Sequence, residues 1–350
     1  MENVIVGCIS AFIISFYAMP IIIQVSKMKK LYDVPNDRKI HATPIPSLGG
    51  LGIYIGFIFS LLMNADITPV IKEFQYFLAC FTVVLIFGTK DDILILLPFK
   101  KFLGQLIIAA IVILKAGLYI TSFHGFATLT HIPTTLAYFI TGLTIVVIMN
   151  AFNLIDGVDG LAGSVGIVST LTFALFFHLS GDHFYALLAF VFCASLVAFL
   201  IFNYSPAKIF MGDTGAMMLG LINAILVIRF INTAETVNLL PNASSPAMGF
   251  GILMIPLLDT LRVFGIRMMH GRSPFSPDRN HLHHQLLDKG MTHRGVALSI
   301  SGFSILGILL TYWALPLGCT TVIALQVVVF FTANFILHQI KDKQKGVATA

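Results

Sequence analysis

Five aspartates and three histidines are the residues of this chain whose types and spacing could do chemistry. Asp91 and Asp92 adjoin in "GTKDDILILLPFKK", Asp156 and Asp159 stand in "NAFNLIDGVDGLAG", Asp213 lies in "IFMGDTGAMMLG", and His281, His283 and His284 lie in "PDRNHLHHQL". A carboxylate at the centre of a membrane helix costs roughly 2.5–3.5 kcal/mol on insertion scales, and less near the interface, so acids beside long apolar runs are functional candidates. Taken singly, each has a plainer reading as a solvated loop residue. Asp213, followed by Thr214 at the start of an apolar run, fits an N-cap as well as a ligand.

The spacing adds detail. Adjacent Asp91 and Asp92 would point about 100° apart on a helix and so would do different jobs. Asp156 and Asp159, three apart, would share a face if helical. Gly157, Gly160 and Gly163 around them, like Gly212 and Gly215 around Asp213, let a bulky anion reach the backbone and the positive helix end, although such glycines also serve helix packing. Lys101 follows nine residues after Asp92, with Gln105 one turn further on. The histidines have no cysteine beside them, and the nearby acids favour hard, oxygen-bound ions, so anion binding together with Arg279 is the better reading for that loop. Oxygen ligands, basic side chains and glycine-rich helix starts together suit a phosphorylated substrate with Mg²⁺, or Mn²⁺ in its place. His124, His131, His178, His183 and His338 lack such neighbours and read as structural.

The elements that must position these groups are membrane helices. Of 350 residues, 57% are hydrophobic and 11% charged, and the mean hydropathy is +0.92, far from the make-up of a soluble domain. The apolar runs are continuous, without the period-2 alternation of a membrane barrel, so the chain reads as all-α and polytopic. About eleven runs approach the length needed to cross a bilayer: 3–23, 48–64, 74–89, 102–119, 134–150, 161–179, 183–202, 214–231, 247–265, 297–316 and 320–338. The third lengthens if Lys72 and Glu73 snorkel. With the N-terminus outside and the C-terminus in the cytoplasm, only Lys72, Lys115 and Arg229 of the 21 Lys and Arg fall on the outer side, as the positive-inside rule demands. That orientation puts every acidic motif and the histidine loop at the cytoplasmic face, and it leaves the outer loops without a dense ionisable cluster. Residues 1–340 read as one transmembrane catalytic domain and 341–350 as a short polar tail. The first run carries Glu2 rather than basic residues before it, so it reads as an uncleaved anchor. Four cysteines at unrelated spacings imply neither disulfides nor zinc. The net charge of +5 reflects the inside bias, not nucleic acid binding.

The motifs, in their order, resemble those of the polyprenyl-phosphate N-acetylhexosamine-1-phosphate transferases, glycosyltransferase family 4, and within it the bacterial WecA/TagO type. "DVPNDRKIHATPIPSLGG", "DDILILLPFKKFLGQ", "NAFNLIDGVDGLAG", "MGDTGAMMLG" and "RMMHGRSPFSPDRNHLHH" carry the likeness across nearly the whole chain. The resemblance implies an eleven-span enzyme of the bacterial plasma membrane with a cytoplasmic active site. Its reaction would be attack of undecaprenyl phosphate on the sugar-proximal phosphate of a UDP-N-acetylhexosamine, N-acetylglucosamine foremost, with release of UMP. It implies Asp213 as the principal Mg²⁺ ligand with Asn153 beside it, and Asp91 and Asp92 organising the lipid phosphate that Lys101 holds. It also implies Asp156 and Asp159 lining the nucleotide pocket, and His41, Arg279, His281, His283 and His284 among the residues that bind substrate, with His281 close to catalysis. Leu282 interrupts the histidines, which favours the N-acetylglucosamine branch over the phospho-N-acetylmuramoyl-pentapeptide transferases. A cation-coupled transporter also carries intramembrane carboxylates, but it places them near the midplane between repeats, and this chain has no internal repeat. Small residues such as Gly142 and Gly220 would suit packing within or between protomers, including a homodimer.

Overall fold

The computed structural model describes residues 2–32, 44–94, 96–126, 132–234, 237, 239–240, 244–273 and 278–340. His41, His131 and the tail 341–350 lie outside them. The described residues are helical, without a strand. In chain order the helices are α1 (Glu2–Lys29), α2 (Gly49–Asn64), α3 (Ile71–Leu94), α4 (Pro98–Ala110), α5 (Thr134–Ile155), α6 (Leu161–Leu179) and α7 (His183–Asn203). They continue with α8 (Gly212–Thr233), α9 (Ser245–Ile252), α10 (Met254–Met269), α11 (Leu282–Asp288), α12 (His293–Ala314) and α13 (Cys319–Gln339). Each of the eleven apolar runs contains a helix.

Among the described residues seven helices are long and apolar enough to cross a membrane, and α9 with α10 makes an eighth candidate bent by 77°. Two of the expected spans are shorter than a full crossing. The 16 residues of α2 rise only about 24 Å at 1.5 Å per residue. The 13 residues of α4 extend through one π-helical turn, Ile111–Lys115. Helix α3 takes in Lys72 and Glu73 and reaches 24 residues, but it is not among the seven helices long and apolar enough to cross.

The core follows from which helices are apolar all round. From Thr214 to Phe230 nearly every residue of α8 is buried, as a helix without a polar face must be. It packs on α5, α3, α2 and α6. Outside it, α1 lies on α2 and α7 through Gly7, Ala11 and Ser15, while α12 and α13 keep long rows of exposed Leu, Ile and Phe for lipid. Short links make neighbours antiparallel: Gly181 at φ +76° turns α6 into α7, and Thr292 starts α12 by accepting the Gly295 N–H at 3.1 Å.

Two loop expectations change. The histidine segment is not plain loop, since Leu282–Asp288 folds into α11. The end of the bundle opposite the acidic motifs also holds an ionisable cluster, which the linear sequence had hidden. Tyr185 donates to Glu73 at 2.6 Å, Arg229 donates to Asp182 at 2.9 Å, and the Arg229 guanidinium sits 4.8 Å from the Tyr185 ring centre. Residues from α3, α7, α8 and the α6–α7 turn meet there because helical pitch brings them level.

Candidate active site

The site is built around the first turn of α8. Three helices can meet there only because glycines stand at the contacts. A Cβ on Gly50 of α2 would lie 2.2 Å from the Gly215 nitrogen, and one on Gly88 of α3 would lie 2.5 Å from the Thr214 Cα. Gly212 adopts φ +70°, and a Cβ on it would meet the Ser47 carbonyl at 2.0 Å. With α3 this close, Asp92 caps α8 from outside its own helix. Its Oδ1 accepts the Asp213 N–H at 2.6 Å, and its Oδ2 accepts the Thr214 N–H at 3.2 Å and the Thr214 hydroxyl at 2.6 Å. The negative charge also suits the positive helix end.

Because Asp92 does the capping, the Asp213 side chain is free to face α4 and α5. Its Oδ1 accepts Asn153 Nδ2 at 2.5 Å and Lys101 Nζ at 3.1 Å. Lys101 also pairs with buried Asp91, whose other oxygen accepts the Leu96 N–H at 2.5 Å where the chain leaves α3. Asp91 and Asp92 thus point to different partners, as their 100° separation required. Gln105, one turn beyond Lys101, accepts from Asn150 at 2.8 Å and ties α4 to α5.

The shared helical face expected for Asp156 and Asp159 does not form. Helix α5 stops at Ile155 and Gly160, at φ +76°, opens α6, so the two carboxylates diverge. Asp156 stays with the cluster. Burial, then repulsion from Asp213, Asp92 and Asp159, pushes its carboxyl up to about 8. Asp159 turns away, accepting the Ala207 N–H at 3.2 Å and lying 3.4 Å from His293 Nδ1 at the start of α12. Asn203 holds the same corner through the Gly160 N–H at 2.9 Å and the Ile209 carbonyl at 2.9 Å.

The histidines reach the cluster from the other side, carried by α10 and α11. His281 Nδ1 bonds Asp259 at 2.8 Å. Its ring lies parallel to that of His283, with centres 5.7 Å apart. The Gly157 backbone abuts His283, because a Cβ there would come within 2.5 Å of Nε2. Burial brings the His283 imidazole down to about 3, so it is a neutral hydrogen-bonding group and not a cation. Burial, reinforced by Arg279, also lowers His284. Arg279 itself leans outward to Asp288 at 3.3 Å, with more than half its side chain exposed. Arg267 grips Asp278 through two bonds of 2.9 Å. Although burial opposes it, that grip and the bonds from Asn280 bring the Asp278 carboxyl down to about 2.

The structure therefore brings together Asp91, Asp92, Lys101, Asn153, Asp156, Asp213, His281 and His283. It sets Asp159 and Arg279 aside, and His41 lies outside the described residues. Asp259, Arg262, Arg267, Asp278, Asn203 and His293 hold the site in shape without having been singled out from the sequence. A signal for two of them existed: Asp259 and Arg262 form a charged i, i+3 pair within an otherwise apolar run.

The model of glycosyl transferase family 4 matches residues 74–231, the stretch holding Asp91, Asp92, Lys101, Asn153, Asp156 and Asp213. Similarity to individual proteins runs much further. A Bacillus subtilis (strain 168) protein named "Probable undecaprenyl-phosphate N-acetylglucosaminyl 1-phosphate transferase" is 31% identical over 341 residues, 96% of this chain and 92% of its own. A "Decaprenyl-phosphate N-acetylglucosaminephosphotransferase" of Mycobacterium leprae (strain TN) is 32% identical over 85% of this chain and 80% of its own. The "Undecaprenyl-phosphate alpha-N-acetylglucosaminyl 1-phosphate transferase" of Escherichia coli (strain K12) is 28% identical over 83% and 79%. With likeness this extensive and the matched segment forming the wall of the carboxylate cluster, the chain belongs to glycosyl transferase family 4, as an integral membrane transferase.

Proposed function

We propose that the protein transfers N-acetylglucosamine 1-phosphate from its UDP ester to undecaprenyl phosphate and releases UMP. The observation that carries this reading is the convergence of Asp91, Asp92, Lys101, Asn153 and Asp213 on one helix start at one end of the bundle. The names of the relatives supply the donor and the acceptor. An oxygen of the lipid phosphate attacks the sugar-proximal phosphorus, a new P–O bond forms, and the P–O bond to UMP breaks. The nucleophile is already anionic at neutral pH, so positioning and charge cancellation matter more than a strong base.

Lys101 sits between Asp91 and Asp213, where it can meet the lipid phosphate and hold it in line. Asp92 fixes the backbone that carries Asp213. The residues present fit a divalent cation. Asn153 donates its amide nitrogen to Asp213, which leaves its amide oxygen as a hard donor beside the carboxylate. Among the described residues four aspartates face Lys101 here, and burial, then repulsion from Asp213, Asp92 and Asp159, raises the Asp156 carboxyl to about 8. Mg²⁺ is commonly held by one or two protein oxygens and completed by substrate phosphates and water. Asp213 and Asn153 would hold it, and it would supply neutralisation of the diphosphate and of departing UMP. Beside them, Asp156 and the neutral His283 offer hydrogen bonds to the nucleotide sugar.

The reading includes an active site on the cytoplasmic side of the bacterial plasma membrane, eleven crossings and an outer N-terminus. Charge supports it: Lys27, Lys29, Lys90, Lys100 and Lys208 lie toward the site's end of the bundle, and Arg229 lies at the other end. The test uses purified protein with Mg²⁺ and undecaprenyl phosphate, offered UDP-N-acetylglucosamine, UDP-N-acetylgalactosamine or UDP-MurNAc-pentapeptide. UMP and lipid-linked sugar appearing together with the first donor is the expected result. Turnover with only another donor overturns the sugar, and none with any donor overturns the reading.

A further inference from the structure

Asp259 makes three hydrogen bonds at once, all to groups that set the α11 segment in place. Its Oδ2 bonds His281 Nδ1 at 2.8 Å. Its Oδ1 accepts the Leu282 backbone N–H at 3.0 Å and Arg262 Nη2 at 2.8 Å. Asp259 and His281 are both buried, at 3% and 4% exposure. A carboxylate beside an arginine and accepting several bonds is ionised, and an ionised carboxylate only accepts. The proton between the pair therefore rests on His281 Nδ1, which selects one tautomer and turns Nε2 toward Arg267, 3.5 Å away. Arg262 closes the loop by donating to the Asn280 carbonyl at 2.5 Å. Beyond His281 the contacts run on through the parallel His283 ring to Gly157, next to Asp156.

We propose that Asp259 is a positioning residue of the transferase: it holds His281 as the Nδ1–H tautomer and seats the start of α11, so that the imidazole pair is aimed at the pocket beside Asp156. It acts through His281 and touches no substrate. The proposal rests on the transferase reading given above.

Asp259→Asn keeps the shape but removes the charge and lets an amide N–H face Nδ1, which reverses the tautomer. The expected loss is about 10- to 100-fold in kcat for UMP release, the scale of removing a group that orients a catalytic imidazole or ligand, with KM for the UDP-sugar little changed. The deciding experiment is a double-mutant cycle of wild type, Asp259→Asn, His281→Ala and the pair, with folding checked by thermal unfolding in detergent. If Asp259 acts through His281, the double variant is no slower than His281→Ala alone, and Asp259→Glu, which keeps the charge, recovers part of the rate. Losses that multiply, or an Asp259→Asn enzyme as fast as wild type, overturn the proposal. Should Asp259→Asn not accumulate as folded protein, Asp259→Ser, which also removes the charge, takes its place in the cycle with the same criteria. A wild type that releases no UMP with any donor removes the transferase role. The tautomer is then read separately from ¹⁵N shifts of labelled histidine, where an unprotonated His281 Nδ1 refutes the geometry itself.

Discussion

Replacing Gly88 with alanine would test whether the close approach of α3 to α8 is what builds the site. A Cβ at Gly88 meets the Thr214 Cα at 2.5 Å and its hydroxyl at 2.8 Å, while an ordinary contact begins near 3.4 Å. The obstacle is backbone, so one helix must move by about the difference, roughly 0.9 Å, or tilt to the same effect. Overpacking of this kind costs about 1–3 kcal/mol. Its effect on turnover should be larger, because Asp92 on α3 caps the very residues, Asp213 and Thr214, from which α3 would be pushed away. A misplacement near 1 Å is worth about 10²-fold in rate. Gly302→Ala is the control, since nothing lies within 4 Å of its Cβ. Turnover from UMP release, compared with the thermal midpoint in detergent, should show Gly88→Ala folded, slightly destabilised and about 100-fold slower, with Gly302→Ala like wild type. A Gly88→Ala enzyme with normal turnover would refute the argument that this contact positions Asp92 and Asp213.

Three further outcomes follow from the same geometry. Asp213→Asn should abolish UMP release while the protein still inserts and elutes normally, and exhaustive chelation should do the same to wild type until Mg²⁺ is restored; full turnover in the chelated enzyme sinks the metal assignment. His283 is neutral when folded down to about pH 3, whereas in the unfolded chain it protonates near 6.5. The unfolded state therefore binds the extra proton between these values. Stability is full above about pH 6.5 and falls as pH drops toward 3, up to about tenfold in the unfolding constant per pH unit. Thermal midpoints from pH 8 to 5 should decline less in His283→Gln than in wild type. At the far end, Arg229→Met removes the bond to Asp182 and the ring contact with Tyr185; it should lower stability by about 1 kcal/mol and leave kcat unchanged, and a slower enzyme would link that end to the site.

Much of this protein can be read without its tertiary structure, for reasons that are local. Continuous apolar runs specify helices, because a backbone in lipid must satisfy its own hydrogen bonds. The acids among those runs stand out because they are costly there. Asp91, Asp92 and Asp213 stood out in that way, whereas Asn153 was named only through the family resemblance. What the linear order could not decide is which side chains meet. Asp156 and Asp159 share one motif, yet the break after Ile155 sends the first toward Asp213 and the second to His293 on α12. The capping role open to Asp213 belongs to Asp92, 121 residues away along the chain. Arg279 resembles an anion ligand by its place in the histidine segment, but it lies at the surface on Asp288. Asp259 reads only as half of a local charged pair with Arg262 until the 77° bend between α9 and α10 and the return of α11 set it against His281. Sequence determined the helices and the kinds of groups available for chemistry, because periodicity and solvation cost act over a few residues. Only the tertiary structure decided the partnerships, because hydrogen bonds between helices depend on rotation, depth and the glycine contacts that allow two backbones to touch.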